Sequence, residues 1–187
     1  MKFKVLAFFA ICAILLFQGC ESKDNSSQKK EETPQVKKKK TQLTYKLRTG
    51  DGQIINVIKT KDGMVFRGYE DKAVLLNFFA TWCRPCRAEI PHLNNLKKKY
   101  DGKFEVIAVL LEENKDQQIL NAFALTYNIN YPVTNSAENF VLADSMGGIK
   151  TIPTMFMYAK GGKLIQKYVG IVPQEMLESD IKKGLGI

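Results

Sequence analysis

Asn77-Phe78-Phe79-Ala80-Thr81-Trp82-Cys83-Arg84-Pro85-Cys86-Arg87-Ala88-Glu89-Ile90-Pro91 joins an apolar run to a helical one, and two cysteines stand at the joint. Ala73 to Ala80 is apolar apart from Asn77, the pattern of a strand covered on both faces. Residues 84–100 read as a helix with Pro91 inside it, where a kink is expected. The two-residue spacing brings the sulfurs within bonding distance across one helical turn. The unpaired N–H groups and the dipole of a helix N-terminus favour a thiolate at Cys83. Cys83 is expected to be the more exposed of the two and to attack a substrate; Cys86, one turn further in, then resolves the mixed disulfide. Pro85 suits a first helical turn, where its missing N–H is not needed. Arg84, between the sulfurs, favours the thiolate by a modest amount. Two duller readings share the motif: half a zinc site, or an inert staple. Zinc wants four ligands, and beyond Cys20 the chain offers only these two cysteines and one histidine, His92.

Outward from this segment, strand and helix patterns alternate. Leu43 to Arg48 and Gln53 to Lys59 flank Gly50-Asp51-Gly52, a hairpin signal, and Asp62-Gly63 marks a turn before Met64-Val65-Phe66. Phe104 to Leu111 reads as a second buried strand, residues 115–127 as a helix, and Glu138 to Met146 as a shorter helix. Thr154 to Ala159 and Leu164 to Val169 form a second hairpin through Gly161-Gly162, and Pro173 opens a terminal helix. The order describes a small α/β sheet with helices on both faces.

The active-site segment, with Trp82 before Cys83-Arg84-Pro85-Cys86, resembles that of the thioredoxin superfamily, and more narrowly the membrane-tethered TlpA/ResA branch of extracytoplasmic thiol–disulfide oxidoreductases. The resemblance runs over roughly residues 43–185. It implies a thioredoxin-like fold with a central mixed sheet, an N-terminal β-hairpin and a TlpA-type insertion at about residues 112–146. It also implies that Ile152-Pro153 is a cis bond facing the cysteine pair, and that its neighbours pair with an extended segment of substrate. Trp82 is then expected to shape the rim of the site together with Arg84, Pro85 and Ile152. Thioredoxins proper carry a buried aspartate where this chain has Asn77, and an amide cannot take a proton from Cys86. The branch has instead a glutamate after its second core strand. By that match Glu113 is the candidate, with Glu112 one register away, and a partly buried carboxylate there is expected to have a raised pKa. A solvated acid is the plain alternative. His92 reads as a surface or flank residue.

The chain has 187 residues and a formal net charge of +9, with 28 Lys/Arg against 19 Asp/Glu. The excess sits in the N-terminal part. Residues 51–187 hold 17 basic and 15 acidic side chains, so no nucleic-acid partner is expected. Lys2 and Lys4 precede 13 uncharged residues, Val5 to Phe17, and Gly19 stands directly before Cys20. This resembles a lipoprotein signal, in which the cut falls before the cysteine and that cysteine is acylated. The expected organisation is a signal over residues 1–19, a flexible Lys-rich tether over 20–41 and a thioredoxin-like domain over 42–187. Loss of Cys12 with the signal and lipid on Cys20 would leave no stray thiol in an oxidising compartment. Length and composition exclude a multidomain protein, a polytopic membrane protein and a disulfide-rich miniprotein.

The expected function is thiol–disulfide exchange outside the cytoplasm, on a membrane held through Cys20. The family resemblance implies reduction of cysteine pairs in exported proteins, apocytochrome c among them, with electrons from a membrane thiol transporter. Residue types leave the direction open, and an oxidant or isomerase on the same site fits them too. No cofactor beyond the Cys83–Cys86 disulfide and no metal is expected. A copper chaperone would need a different cysteine spacing and a histidine beyond His92. A tethered binding module, its cysteine pair a mere staple, is the remaining class.

Overall fold

Two strands buried along their whole length form the centre of the molecule: β4 (Ala73–Phe79) and β5 (Phe104–Leu110), paired in parallel. The computed structural model describes residues 42–187; the expected signal, Cys12, Cys20 and the tether lie outside the described residues. β7 (Thr154–Tyr158) pairs antiparallel with β4, and β8 (Leu164–Val169) antiparallel with β7. A two-residue strand, β6 (Val133–Thr134), pairs parallel with β5, so the sheet order is β6-β5-β4-β7-β8. This is the expected mixed sheet.

Because successive side chains of a strand point to opposite faces, β4 divides its residues between two cores. Leu75 and Phe79 point to one face with Val106 and Met157, beneath α1 (Arg84–Lys99), α2 (Gln117–Thr126) and α4 (Gln174–Leu185). Val74, Leu76 and Phe78 point to the other with Ile107 and Val109. There they are covered by α3 (Glu138–Ser145) and by a separate antiparallel sheet of β1 (Thr44–Arg48), β2 (Ile54–Lys59) and β3 (Met64–Phe66). Burial of each such side chain contributes about 1.5–3 kcal/mol as an upper figure, so two full cores account for a fold that needs no staple.

The N-terminal hairpin pairs Tyr45 with Val57 and Leu47 with Ile55 around a turn that Gly52 closes at φ 85°. Its end is tied to β6, where Gly50 N donates to Val133 O at 3.2 Å and Asn135 N to Arg48 O at 2.8 Å. The expected insertion thus supplies α2, β6 and α3, and through β6 it is part of the main sheet. α1 runs as one 16-residue helix through Pro91, whose side is exposed, so the expected kink does not divide it. Pro173 is the N-cap of α4 rather than its first helical residue. Among the described residues no helix is long and apolar enough to cross a membrane.

Candidate active site

At the end of β4 the chain turns tightly, with Cys83 N donating to Ala80 O at 3.2 Å, and α1 begins. Cys83 is the N-cap of that helix, extended at φ −73° and ψ 107°, and its Sγ accepts from Cys86 N at 3.2 Å. Arg87 N closes the first turn on Cys83 O at 3.1 Å. Pro85 lies in that turn, where no intrahelical partner awaits its nitrogen. Cys83 and Cys86 are joined by a disulfide, with their Cα atoms 5.3 Å apart. Exposure separates them little: 4 % for Cys83 and 2 % for Cys86. The expected difference in openness is therefore slight, because the loop before β7 covers the pair. Position separates them instead, since only Cys83 stands at the helix terminus with its N–H groups and dipole.

The Ile152–Pro153 bond is cis, as the pattern implied, and Cys83 Sγ lies 3.8 Å from Ile152 O. Pro153 is buried, and its carbonyl accepts from Gly170 N at 2.8 Å, so the segment after β8 flanks the same loop. Ile152 packs against the core that contains both cysteines. Trp82 is 67 % exposed, and Val169 and Ile171 on either side of Gly170 are exposed as well. Arg84 and Pro85 are also exposed.

The glutamate beside the turn is Glu112, not Glu113. Leu111 N donates to Phe79 O at 2.9 Å, which keeps β5 in step with β4 past its end and brings Glu112 to Thr81. Thr81 N donates to one carboxylate oxygen of Glu112, and Lys115 Nζ stands 2.9 Å from the other. Glu113 is exposed. The expected upward shift is also corrected: burial works to raise the Glu112 pKa, but the hydrogen bonds from Lys115 and Thr81 hold it below the ordinary range.

On α1, close after the cysteines, a different carboxyl has a raised pKa. Glu89 is fully buried; Oε1 has no hydrogen-bond partner and Oε2 takes only a long bond from Val172 N at 3.4 Å. Burial pushes its pKa up, against smaller opposing effects of Val172 N–H and His92. It stands three residues after Cys86 on the same helix face. That spacing, within a row that continues to Ile90 and Leu93, was the available signal. His92 is only partly a flank residue: it is half-buried, and its Nδ1 is buried without a partner. Asn77 points to the face that carries the cysteines, 3 % exposed, with Oδ1 unpartnered. Among the described residues no three His, Cys, Asp or Glu side chains gather as a metal-ligand group.

A cysteine pair at a strand-to-helix joint, faced by a cis-proline loop, defines a dithiol–disulfide redox centre. A family model described as "Thioredoxin-like" matches residues 71–164. The chain is 28 % identical over 186 residues to the thiol-disulfide oxidoreductase ResA of Bacillus thuringiensis subsp. konkukian, covering 98 % of this chain and 95 % of that one. It is 34 % identical over 117 residues to ResA of Bacillus cereus, covering 63 % and 66 %. Among solved structures, a thioredoxin-family thiol:disulfide interchange protein from Chlorobium tepidum is 29 % identical. It superposes with a TM-score of 0.59 over 76 % of this chain and 94 % of that one. The exposed lipoprotein thioredoxin Etrx1 of Streptococcus pneumoniae shares the fold at 21 % identity, with a TM-score of 0.59 over 75 % and 99 %. The chain belongs to the thioredoxin-like family and is a ResA-like thiol–disulfide oxidoreductase.

Proposed function

We propose that this oxidoreductase works outside the cytoplasm, tethered to a membrane by lipid on Cys20, and reduces cysteine pairs of exported proteins. The reading is carried by one observation: the Cys83 sulfur, at the N-terminus of α1, abuts the Ile152 carbonyl of the cis-proline loop at 3.8 Å. An extended substrate lying along that loop brings its disulfide to the attacking sulfur. The reduced enzyme attacks with the Cys83 thiolate, forming a mixed disulfide and expelling one substrate thiolate, which takes a proton. Cys86 loses its proton, attacks Cys83 Sγ and frees the second substrate sulfur, leaving the enzyme disulfide and a substrate dithiol. Two electrons pass from enzyme to substrate, and a membrane thiol transporter returns them.

Glu89, one helical turn from Cys86 and held toward its neutral form by burial, is suited to exchange a proton with that sulfur. Glu113, exposed, is not. Trp82, Arg84, Pro85, Ile152 and Pro153 form the rim against which substrate lies, and the disulfide itself is the redox group. Apocytochrome c, whose haem-site cysteines must be reduced before attachment, is a fitting substrate; the likeness to ResA supports that choice.

The test is insulin-disulfide reduction by the purified domain, together with its midpoint potential. A potential near about −270 mV supports the reductant reading, and one near about −120 mV replaces it with an oxidant. Labelling of wild type and Cys20→Ala with radioactive palmitate tests the tether. Incorporation into the wild type and none into the variant is expected, and equal incorporation into both, or none into the wild type, would refute lipid on that residue.

A further inference from the structure

Thr81 is the residue on which the cysteine-bearing turn pivots, and it is held from outside that turn. It follows Ala80, whose carbonyl closes the turn on Cys83 N, and its own N–H is taken by Glu112. Its hydroxyl accepts from Lys115 Nζ at 2.9 Å, and the same ammonium pairs with Glu112 at 2.9 Å. One residue is thus gripped through backbone and side chain by an ion pair from a different segment. The pair is largely enclosed, with side-chain exposures of 12 % for Glu112 and 20 % for Lys115.

The segment that supplies the pair is itself fixed. Asn135 Nδ2 donates to Lys115 O at 3.0 Å and to Gln117 Oε1 at 3.1 Å. Asp116 caps α2 through Gln118 N at 2.7 Å and Ile119 N at 3.2 Å. A clamp anchored at both ends can hold a turn; a pair of free surface charges cannot.

From these contacts we infer that Lys115 and Glu112 are positioning residues, a charge-compensated clamp on Thr81 that aims Cys83 and sets its acidity, the two acting in opposite directions. The inference rests on the reading of Cys83 as the attacking thiolate. Thr81 and Cys83 are two residues apart, so their Cα atoms are separated by at most about 7 Å. Both charges therefore sit against a residue two positions from the attacking cysteine, at a range of about one to two Debye lengths at physiological salt, where enclosure leaves them less screened than free surface charges. Paired, they nearly cancel. Unpaired, a single charge at such a range changes an acid dissociation constant by about two- to fivefold. The other charged or titratable groups on the elements that meet at Cys83 are Arg84, Arg87, Glu89, His92 and, at its far end, Lys97 to Lys99 on α1, Glu113 and Asp116 on the clamp segment, and Lys150 before the proline loop. They are common to every variant below.

The experiment titrates the reduced protein by thiolate absorbance and by iodoacetamide rate against pH. Glu112→Gln leaves the lysine uncompensated and is expected to lower the Cys83 pKa, raising its dissociation constant about two- to fivefold. Lys115→Met leaves the glutamate and should do the reverse. The double variant returns near wild type, and Lys115→Arg, which keeps the charge, stays near it. The midpoint potential moves with the same signs, Glu112→Gln toward oxidant and Lys115→Met toward reductant. Shifts of the same sign in both single variants, or no shift in either, overturn the inference. If Glu112→Gln does not fold, Lys115→Met and Lys115→Arg decide alone: equal effects from both refute a role for the charge. Because these titrations do not depend on turnover, absence of insulin reduction would sink the reductase reading without touching the clamp.

Discussion

Replacing Asn77 with Asp puts a carboxyl where this chain has an amide of the same shape, 3 % exposed on the face that carries the cysteines. Asn77 Oδ1 already lacks a partner, and no cation bonds it. An Asp there has two courses on folding. It can ionise in a low-dielectric site, or bind a proton that it would not hold in the unfolded chain. The second course bounds the penalty. With an unfolded pKa of about 3.9, holding the proton at pH 7 costs about 1.4 kcal/mol for each of about three pH units, or roughly 4 kcal/mol. The sign follows from the raised folded pKa: the penalty is absent below the unfolded pKa and grows as pH rises above it. For a domain of this size each kcal/mol moves Tm by about 2–4 °C, so Asn77→Asp is expected to melt below wild type at pH 7 by several degrees, up to roughly 8–16 °C. At pH 4 the two should nearly coincide. Urea unfolding and thermal melts of both proteins from pH 4 to pH 8 make the measurement. A pH-independent difference, or none at pH 7, would refute the burial and the lack of a partner on which the figure depends.

Glu89→Gln keeps an acceptor for Val172 N–H and removes only the ionisation. Since burial raises the wild-type pKa, the variant should gain stability over wild type as pH rises from 4 to 7, and should slow resolution of the mixed disulfide. A stability difference unchanged with pH, read from paired melts, would speak against it. Cys83→Ser should abolish insulin reduction, whereas Cys86→Ser should accumulate a mixed disulfide visible on a non-reducing gel; the opposite pattern would exchange their roles. Gly162 sits at φ 90°, and a Cβ there would meet Met64 O at 2.1 Å. Gly162→Ala should therefore cost at least about 2 kcal/mol, and an unchanged urea midpoint would contradict that close approach.

The central βα unit was readable because Ala73 to Ala80 is too uniformly apolar for anything but a strand buried on both sides, and because two cysteines mark where it ends. Both hairpins announced themselves through their glycines. β6 did not: two residues have no periodicity, and Val133–Thr134 is a strand only because β5 offers it an edge. The choice between Glu112 and Glu113 depended on how far β5 stays in step with β4, which the Leu111–Phe79 hydrogen bond decides. Glu89 was hidden for a different reason. A glutamate in a helix looks solvated until the packing of that face is known, and only α1 against its neighbours turns it inward.

With barely a twentieth of Cys83's surface open to water, a bulky globular client could not bring an interior cystine to it. An extended segment laid beside the Ile152 carbonyl, 3.8 Å from that sulfur, is the form of substrate the proposed reading calls for. On the proposed function, that burial favours clients that still present their cystines on uncovered chain over those whose folding has already enclosed them.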